Sequence, residues 1–147
     1  MEKHVEMELS KITENIYIGT NMCCNVHFKK LIDYGFDADI DLEEERKEHP
    51  EKIKIYLWLP TKDKTASTLD QLKAGVALID KMVENNKIIY VHCMNGHGRA
   101  PTLVAAYFIY KDKMEIKDAI EFIRDKRPEI HLENEQKERL EEYHRNY

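Results

Sequence analysis

The stretch Ile88-Ile89-Tyr90-Val91-His92-Cys93-Met94-Asn95-Gly96-His97-Gly98-Arg99-Ala100-Pro101-Thr102, followed by Leu103-Val104-Ala105-Ala106-Tyr107-Phe108-Ile109-Tyr110, decides the fold of this chain. Its first four residues are a short apolar run of the kind that forms a buried strand. Residues 103–110 are almost wholly apolar and read as a buried helix. A strand, a glycine-containing loop and a helix start, in that order, make an anion cradle. Backbone N–H groups at the helix N-terminus face into the loop, and the helix dipole favours negative charge there. Gly96 and Gly98 let the loop backbone turn back and approach a ligand. Pro101 suits the first helical turn, where its missing N–H costs nothing.

Cys93 and Arg99 make this more than a cradle. Cys93 sits where the strand enters the loop, beside those N–H groups, a setting that supplies a thiolate nucleophile. Arg99 closes the loop, and its planar fork can grip two oxygens of a phosphoryl group. A nucleophile at one end and a guanidinium at the other suit attack on phosphorus, with Met94, Asn95, Gly96, His97 and Gly98 around the charged oxygens. The plain alternative makes Cys93 a small buried hydrophobe and Arg99 a surface residue. The agreement of strand, glycines, spacing and helix start favours the chemical reading.

His92-Cys93, five residues and Arg99 resemble the signature of cysteine-dependent phosphatases, in the order seen in their dual-specificity branch. The longer form Gly96-His97-Gly98-Arg99-Ala100-Pro101 is similar to that of the phosphatases of regenerating liver and of the plant glucan phosphatases. The likeness runs from about Ile12 to Tyr143.

The 147 residues fit one catalytic domain, 1–147, with room for a real core. Hydrophobic residues make up 42% and charged residues 35% of the chain, an ordinary balance for a globular domain. A net charge of −5 argues against a nucleic-acid partner. No apolar run approaches the roughly 20 residues of a membrane span. Met1-Glu2-Lys3-His4 opens no apolar signal segment, and His144-Arg145-Asn146-Tyr147 carries no prenylation box. The expectation is a cytoplasmic, monomeric chain without a membrane anchor. Cys23, Cys24 and Cys93 are too few, and odd in number, for a disulfide framework, which fits a reducing compartment. A redox partnership of Cys23 or Cys24 with Cys93 stays open beside an incidental pair.

Upstream, Ile16 to Ile18 reads as a strand closed by Gly19. Val26 to Tyr34 reads as a short helix stopped by Gly35. Phe36 to Leu42 is a strand, and Ile53 to Leu59 another. The charge run from Glu43 to Pro50 reads as a solvated loop or turn without a site. Pro60 to Ser67 is a breaker-rich loop at a strand end, where functional residues gather. Ser67 or Thr68 caps a helix through Leu69, Leu72, Val76, Ile79 and Val83, ending at Asn85-Asn86. Asp70 falls in its first turn. Ile116 to Ile123 forms another helix, closed by Arg127-Pro128. The last runs from Glu133 to His144, with Leu132, Leu140 and Tyr143 on its apolar side.

These elements predict an α/β three-layer sandwich: a mostly parallel sheet of four or five strands with helices on both faces. A phosphatase needs an acid for the leaving oxygen. The resemblance places that acid on the loop some 30 residues before the cysteine, which selects Asp63; a capping or solvated carboxylate is the alternative. Gln136 matches a glutamine that helps place the hydrolytic water in parts of the family; a surface polar residue is the alternative. His92 reads either as a neutral ring hydrogen-bonded to the loop backbone or as a direct acid or base. His97 points outward from mid-loop, to touch substrate or solvent.

Ala100 departs from the family, most of whose members carry Ser or Thr there to assist thiophosphate breakdown. Its presence predicts slow turnover. The lipid anchor and upstream redox cysteine of the phosphatases of regenerating liver have no counterpart here. Trp58, the single tryptophan, reads as a core residue and not as a carbohydrate platform. The resemblance therefore implies a hydrolase of phosphorylated Tyr, Ser or Thr side chains, needing no cofactor or metal and passing through a phosphocysteine. Its rivals are a weakly active module that captures phosphoproteins, or a phosphatase of RNA 5′-phosphates, phosphoinositides or glucan.

Overall fold

A computed structural model of the chain describes residues 7–22, 25–48 and 53–146. Cys23 and Cys24, the candidate redox partners of Cys93, lie outside the described residues. The elements in chain order are β1 (Leu9–Lys11), β2 (Ile16–Gly19), α1 (Asn25–Tyr34), β3 (Ala38–Glu43), β4 (Ile55–Thr61), α2 (Leu69–Glu84), β5 (Ile89–His92), α3 (Arg99–Asp112), α4 (Ile116–Lys126) and α5 (Asn134–Arg145). The short β1 was not foreseen; it pairs antiparallel with β2.

The five strands form one sheet in the order β1-β2-β5-β3-β4, parallel apart from β1. Val91 of β5 sits between Ile18 of β2 and Ile40 of β3. Alternation along each strand then separates two faces. Ile16, Ile18, Ala38, Ile40, Leu42, Ile89 and Val91 enter the large core with residues of α2 to α5. Tyr17 and Tyr90 point the other way, into a smaller cluster with Met22, Leu31 and Phe36 beside α1. Helices cover both faces, as the pattern predicted, in a ratio of four to one.

The helix after the active loop is the centre of the molecule. Residues 99–109 of α3 are buried without interruption. A helix apolar on all sides is stable only where neighbours surround it, and α2, α4 and α5 all pack on α3. Gly75 lets α2 come close: a Cβ there would stand 2.6 Å from Leu103 Cδ1. Thr68 caps α2 in a reciprocal box with Gln71, and Glu133 does the same for α5 with Gln136. α1 ends at Gly35, whose φ of +87° lies in the left-handed region.

Two expectations need correction. Trp58 is half-buried rather than core; its Nε1–H donates to the Glu43 carbonyl at 2.7 Å and Lys47 Nζ lies over its ring. The run from Glu43 to Pro50 is solvated only in part: Glu44, Glu45 and Lys47 are exposed, and His49 and Pro50 lie outside the described residues. Glu43 and Glu48 are buried, and Glu45 reaches into the site described next. Helix α1 packs on the second face of the sheet through Phe28 and Leu31, and β3's polar side on that face is buried as well.

Candidate active site

β5, the central strand, ends at His92, and Cys93 follows at the mouth of the loop, 3% exposed. The loop from Met94 to Gly98 is shaped by what holds its carbonyls. The Met94 oxygen accepts from the Asn21 N–H at 3.1 Å. Asn95 and Gly96 oxygens accept from Arg127 Nη2 at 2.9 Å and Nε at 3.0 Å. The His97 oxygen accepts from the His131 N–H at 2.7 Å, and the Gly98 oxygen from the Thr102 N–H and hydroxyl. Every carbonyl of the loop is thus tied to the surrounding protein. Among the described residues, no acceptor takes the N–H groups of Met94 to Gly98. They are left for an anion, as helix-start loops use them.

Gly96 makes this turn possible. Its φ is +70°, and a Cβ would stand 2.7 Å from the Gly19 carbonyl oxygen. Side chain and backbone both exclude any other residue without displacement.

Arg99 opens α3 and is buried. Glu45 takes it from both terminal nitrogens, Nη1 to Oε1 at 2.6 Å and Nη2 to Oε2 at 3.0 Å. Nη1 also donates to the Thr61 carbonyl at 2.8 Å. Nε is buried with no hydrogen-bond partner. The guanidinium is therefore fixed on one edge by protein and keeps a donor for an oxyanion. The grip shows in the charges: hydrogen bonding to Arg99 holds the Glu45 carboxyl below its ordinary range. Burial pulls Arg99 down, but Glu45 and the nearby Cys93 outweigh it and raise it.

Asp63, on the loop after β4, lies 3.5 Å from Arg99 Nη2 with its side chain 58% exposed. The structure thus gathers Cys93, Arg99 and Asp63 at one end of the sheet. An open depression beside them is lined in part by Asp63, His97, His131 and Gln136. His97 is exposed, pointing outward as expected. Gln136 is buried, not on the surface; its Nε2 donates to the Thr65 carbonyl at 3.0 Å and it packs on Gly98. It joins α5 to the loop that carries Asp63.

His92 differs from its expected place. It lies on the far face of the sheet from the large core, with no hydrogen bond to the loop. Burial alone would lower it, yet Asp39 and Glu48 beside it push it up to about 10. Strand alternation is the cause: Cys93 points into the large core, so its neighbour faces β3's acidic side. Sequence reasoning also missed Glu45 and Arg127. Arg127 looked like a helix stop before proline, and Glu45 one acid among several; no spacing marks either as a partner of a loop far along the chain.

Comparison with known proteins fits this geometry. Residues 16–146 match the model of the dual specificity phosphatase catalytic domain. The chain belongs to the dual specificity phosphatase family. It is 31% identical over 122 residues to a protein of Invertebrate iridescent virus 6 named as a tyrosine phosphatase, 123R, covering 82% of this chain and 81% of that one. It is 38% identical over 90 residues to human phosphatidylglycerophosphatase and protein-tyrosine phosphatase 1, covering 60% of this chain and 45% of the relative. Its match thus spans under half the length of that relative. A crystal structure of PTPMT1 superposes with a TM-score of 0.83 at 26% identity, covering 95% of both chains. Family membership makes the chain a phosphatase that hydrolyses phosphoesters. No described helix is long and apolar enough to cross a membrane.

Proposed function

We propose that this phosphatase works through a phosphocysteine, without a metal in the reaction. One observation carries the reading: the loop carbonyls are all tied back, leaving five N–H groups and Arg99 Nε around the mouth of a buried cysteine. That set matches the charge of a phosphoryl group in transfer, spread over its equatorial oxygens. Cys93 Sγ attacks phosphorus in line; the S–P bond forms as the P–O bond to the leaving group breaks. The Asp63 carboxyl gives its proton to the leaving oxygen. Water then attacks the phosphocysteine, its proton returns to Asp63, and the S–P bond breaks to regenerate the thiolate. Gln136 holds the Asp63 loop against α5 and orients this second step.

The substrate we assign is a phosphorylated Tyr, Ser or Thr side chain, supported by the open depression around Asp63. A phospholipid headgroup is the second reading. It rests on the likeness to a phosphatidylglycerophosphatase and to PTPMT1, a structure of which is in complex with PI(5)P. Wild type, Cys93→Ser and Asp63→Asn should be compared on an aryl phosphate, on phosphopeptides and on a phosphoinositide. Cys93→Ser should abolish release, and Asp63→Asn should lower it about 10²–10⁴-fold on poor leaving groups. Full activity of Asp63→Asn on a poor leaving group would remove Asp63 from the mechanism. Higher kcat/KM on the lipid would decide for the second reading.

A further inference from the structure

β3 carries Asp39, Asp41 and Glu43 on the sheet face opposite the large core, and Glu48 and His92 join them; all five are buried. A buried carboxylate without compensation costs several kcal/mol. Hydrogen bonds compensate only part of this cluster. Asp41 is fully engaged, accepting from the Glu43 N–H at 2.9 Å and the Tyr56 hydroxyl at 2.7 Å. Glu43 Oε2 accepts from Asn21 Nδ2 at 3.3 Å, and Glu48 Oε1 from the Met22 N–H at 2.9 Å. Both Asp39 oxygens, Glu48 Oε2, Glu43 Oε1 and both His92 nitrogens have no hydrogen-bond partner among the described residues.

Three of these atoms converge. His92 Nε2 lies 3.0 Å from Asp39 Oδ1 and 3.4 Å from Glu48 Oε2, and the donor atoms of the three residues lie within 4.8 Å of one another. At 3.0 Å the first pair is close enough for a hydrogen bond, but the ring N–H direction misses the oxygen. An imidazolium N–H has to point at the oxygen itself, whereas a neutral imidazole nitrogen holds an ion along its in-plane lone pair, and flanking carboxylates reach that ion from the side. Ligand atoms ~2.1 Å from one cation stand roughly 3–4 Å apart, and the 3.0 and 3.4 Å separations from His92 Nε2 fall in that range.

We infer that Asp39, Glu48 and His92 form a buried structural site for one divalent first-row transition cation of the Mn²⁺ to Zn²⁺ class. One imidazole nitrogen with two carboxylates suits such ions, whereas Ca²⁺ takes six or more oxygens. The second group around His92, with Asp41 and Glu43, is the weaker one because both Asp41 oxygens are already engaged. The site is one residue from Cys93 but on the other face of the sheet. The ion touches no substrate; it pins β3, β5 and the segment at Glu48 behind the loop.

The test uses the full chain, expressed in medium supplemented with Mn²⁺ and desalted. Mn²⁺ is the probe because thiolates select softer ions, so Cys23, Cys24 and Cys93 compete poorly for it. The expected result is about one Mn²⁺ per chain, a melting temperature that falls when a chelator removes it, and pulsed-EPR coupling to one imidazole nitrogen. Asp39→Asn combined with Glu48→Gln should reduce the bound metal to background, while Cys93→Ser retains it. Wild type that holds neither Mn²⁺ nor Zn²⁺, or a folded double variant that still holds it, overturns the site. Should the double variant not fold, the nitrogen coupling in wild type decides, and its absence overturns the assignment.

Discussion

Ala100 follows Arg99 in the first turn of α3 and is fully buried. It has no hydroxyl to offer the departing thiolate. The next hydroxyl along the helix, that of Thr102, is turned back onto the Gly98 carbonyl at 2.7 Å. Release of phosphate from Cys93 is therefore expected to limit turnover. Ala100→Ser should raise steady-state turnover roughly 10–100-fold, the size of one hydrogen bond to a charged group. The same variant should shrink the pre-steady-state burst of leaving group. Glu45 acts through Arg99 as a positioning residue. Glu45→Gln keeps the shape but weakens both charged hydrogen bonds, and should lower kcat/KM by about tenfold or more. Its stability should show a pH signature. The Glu45 carboxyl is held below its ordinary 4.5 by Arg99, so the pair stabilises the fold above that value and ceases to do so as pH falls through the lowered one. Melting curves of wild type and Glu45→Gln should converge as the solution is acidified below pH 4.5.

At the scale of elements, periodicity in the sequence was enough for most of the fold. The run Ile88 to Val91, the glycine loop and the apolar helix after it became β5, the active loop and α3. Thr68, Gly35 and Arg127-Pro128 marked real element ends. What could not be seen was which polar residues go indoors. Asp39, Asp41 and Glu43 alternate with Ala38, Ile40 and Leu42, a pattern that ordinarily means a solvated second face. Asn21, Tyr56, Glu48 and His92 gather around them from other parts of the chain, and that gathering is a tertiary fact. The candidate site divided the same way. Cys93 and Arg99 stood out by their spacing and Asp63 through the resemblance, and the structure brings the three together, whereas Glu45 and Arg127 are partners by folding alone. The loop also gives a test at this scale. Gly96→Ala meets the Gly19 carbonyl and a left-handed backbone together, at a cost of about 1–3 kcal/mol in strain. Its melting temperature should fall, and activity should fall further than stability explains, because the N–H groups turn with the backbone.

At the scale of the molecule, Arg127 connects parts of the chain that are distant in sequence. Beyond its bonds to Asn95 and Gly96, its Nη1 donates to Ser10 Oγ at 2.8 Å, across 117 residues. Arg127→Ala leaves the buried Gly96 carbonyl without its donor and frees the Asn95 carbonyl and Ser10; a buried carbonyl left unpaired costs about 1–3 kcal/mol. The expected outcome is a loss of several kcal/mol in denaturant unfolding together with near-complete loss of phosphatase activity. Arg127→Lys, which can reach one carbonyl but not three partners, should fall between.

The tethering of the loop also bears on how the molecule comes to life. Its carbonyls are held by Asn21 near one end of the chain and by Arg127 and His131 near the other. No fragment folded from one end alone can shape the anion cradle. On refolding, helical signal returns first and phosphate release last, since release waits for the most distant contacts. A chain misassembled at either end is silent, not an indiscriminate hydrolase with half a pocket. Catalysis here doubles as an inspection of the finished fold.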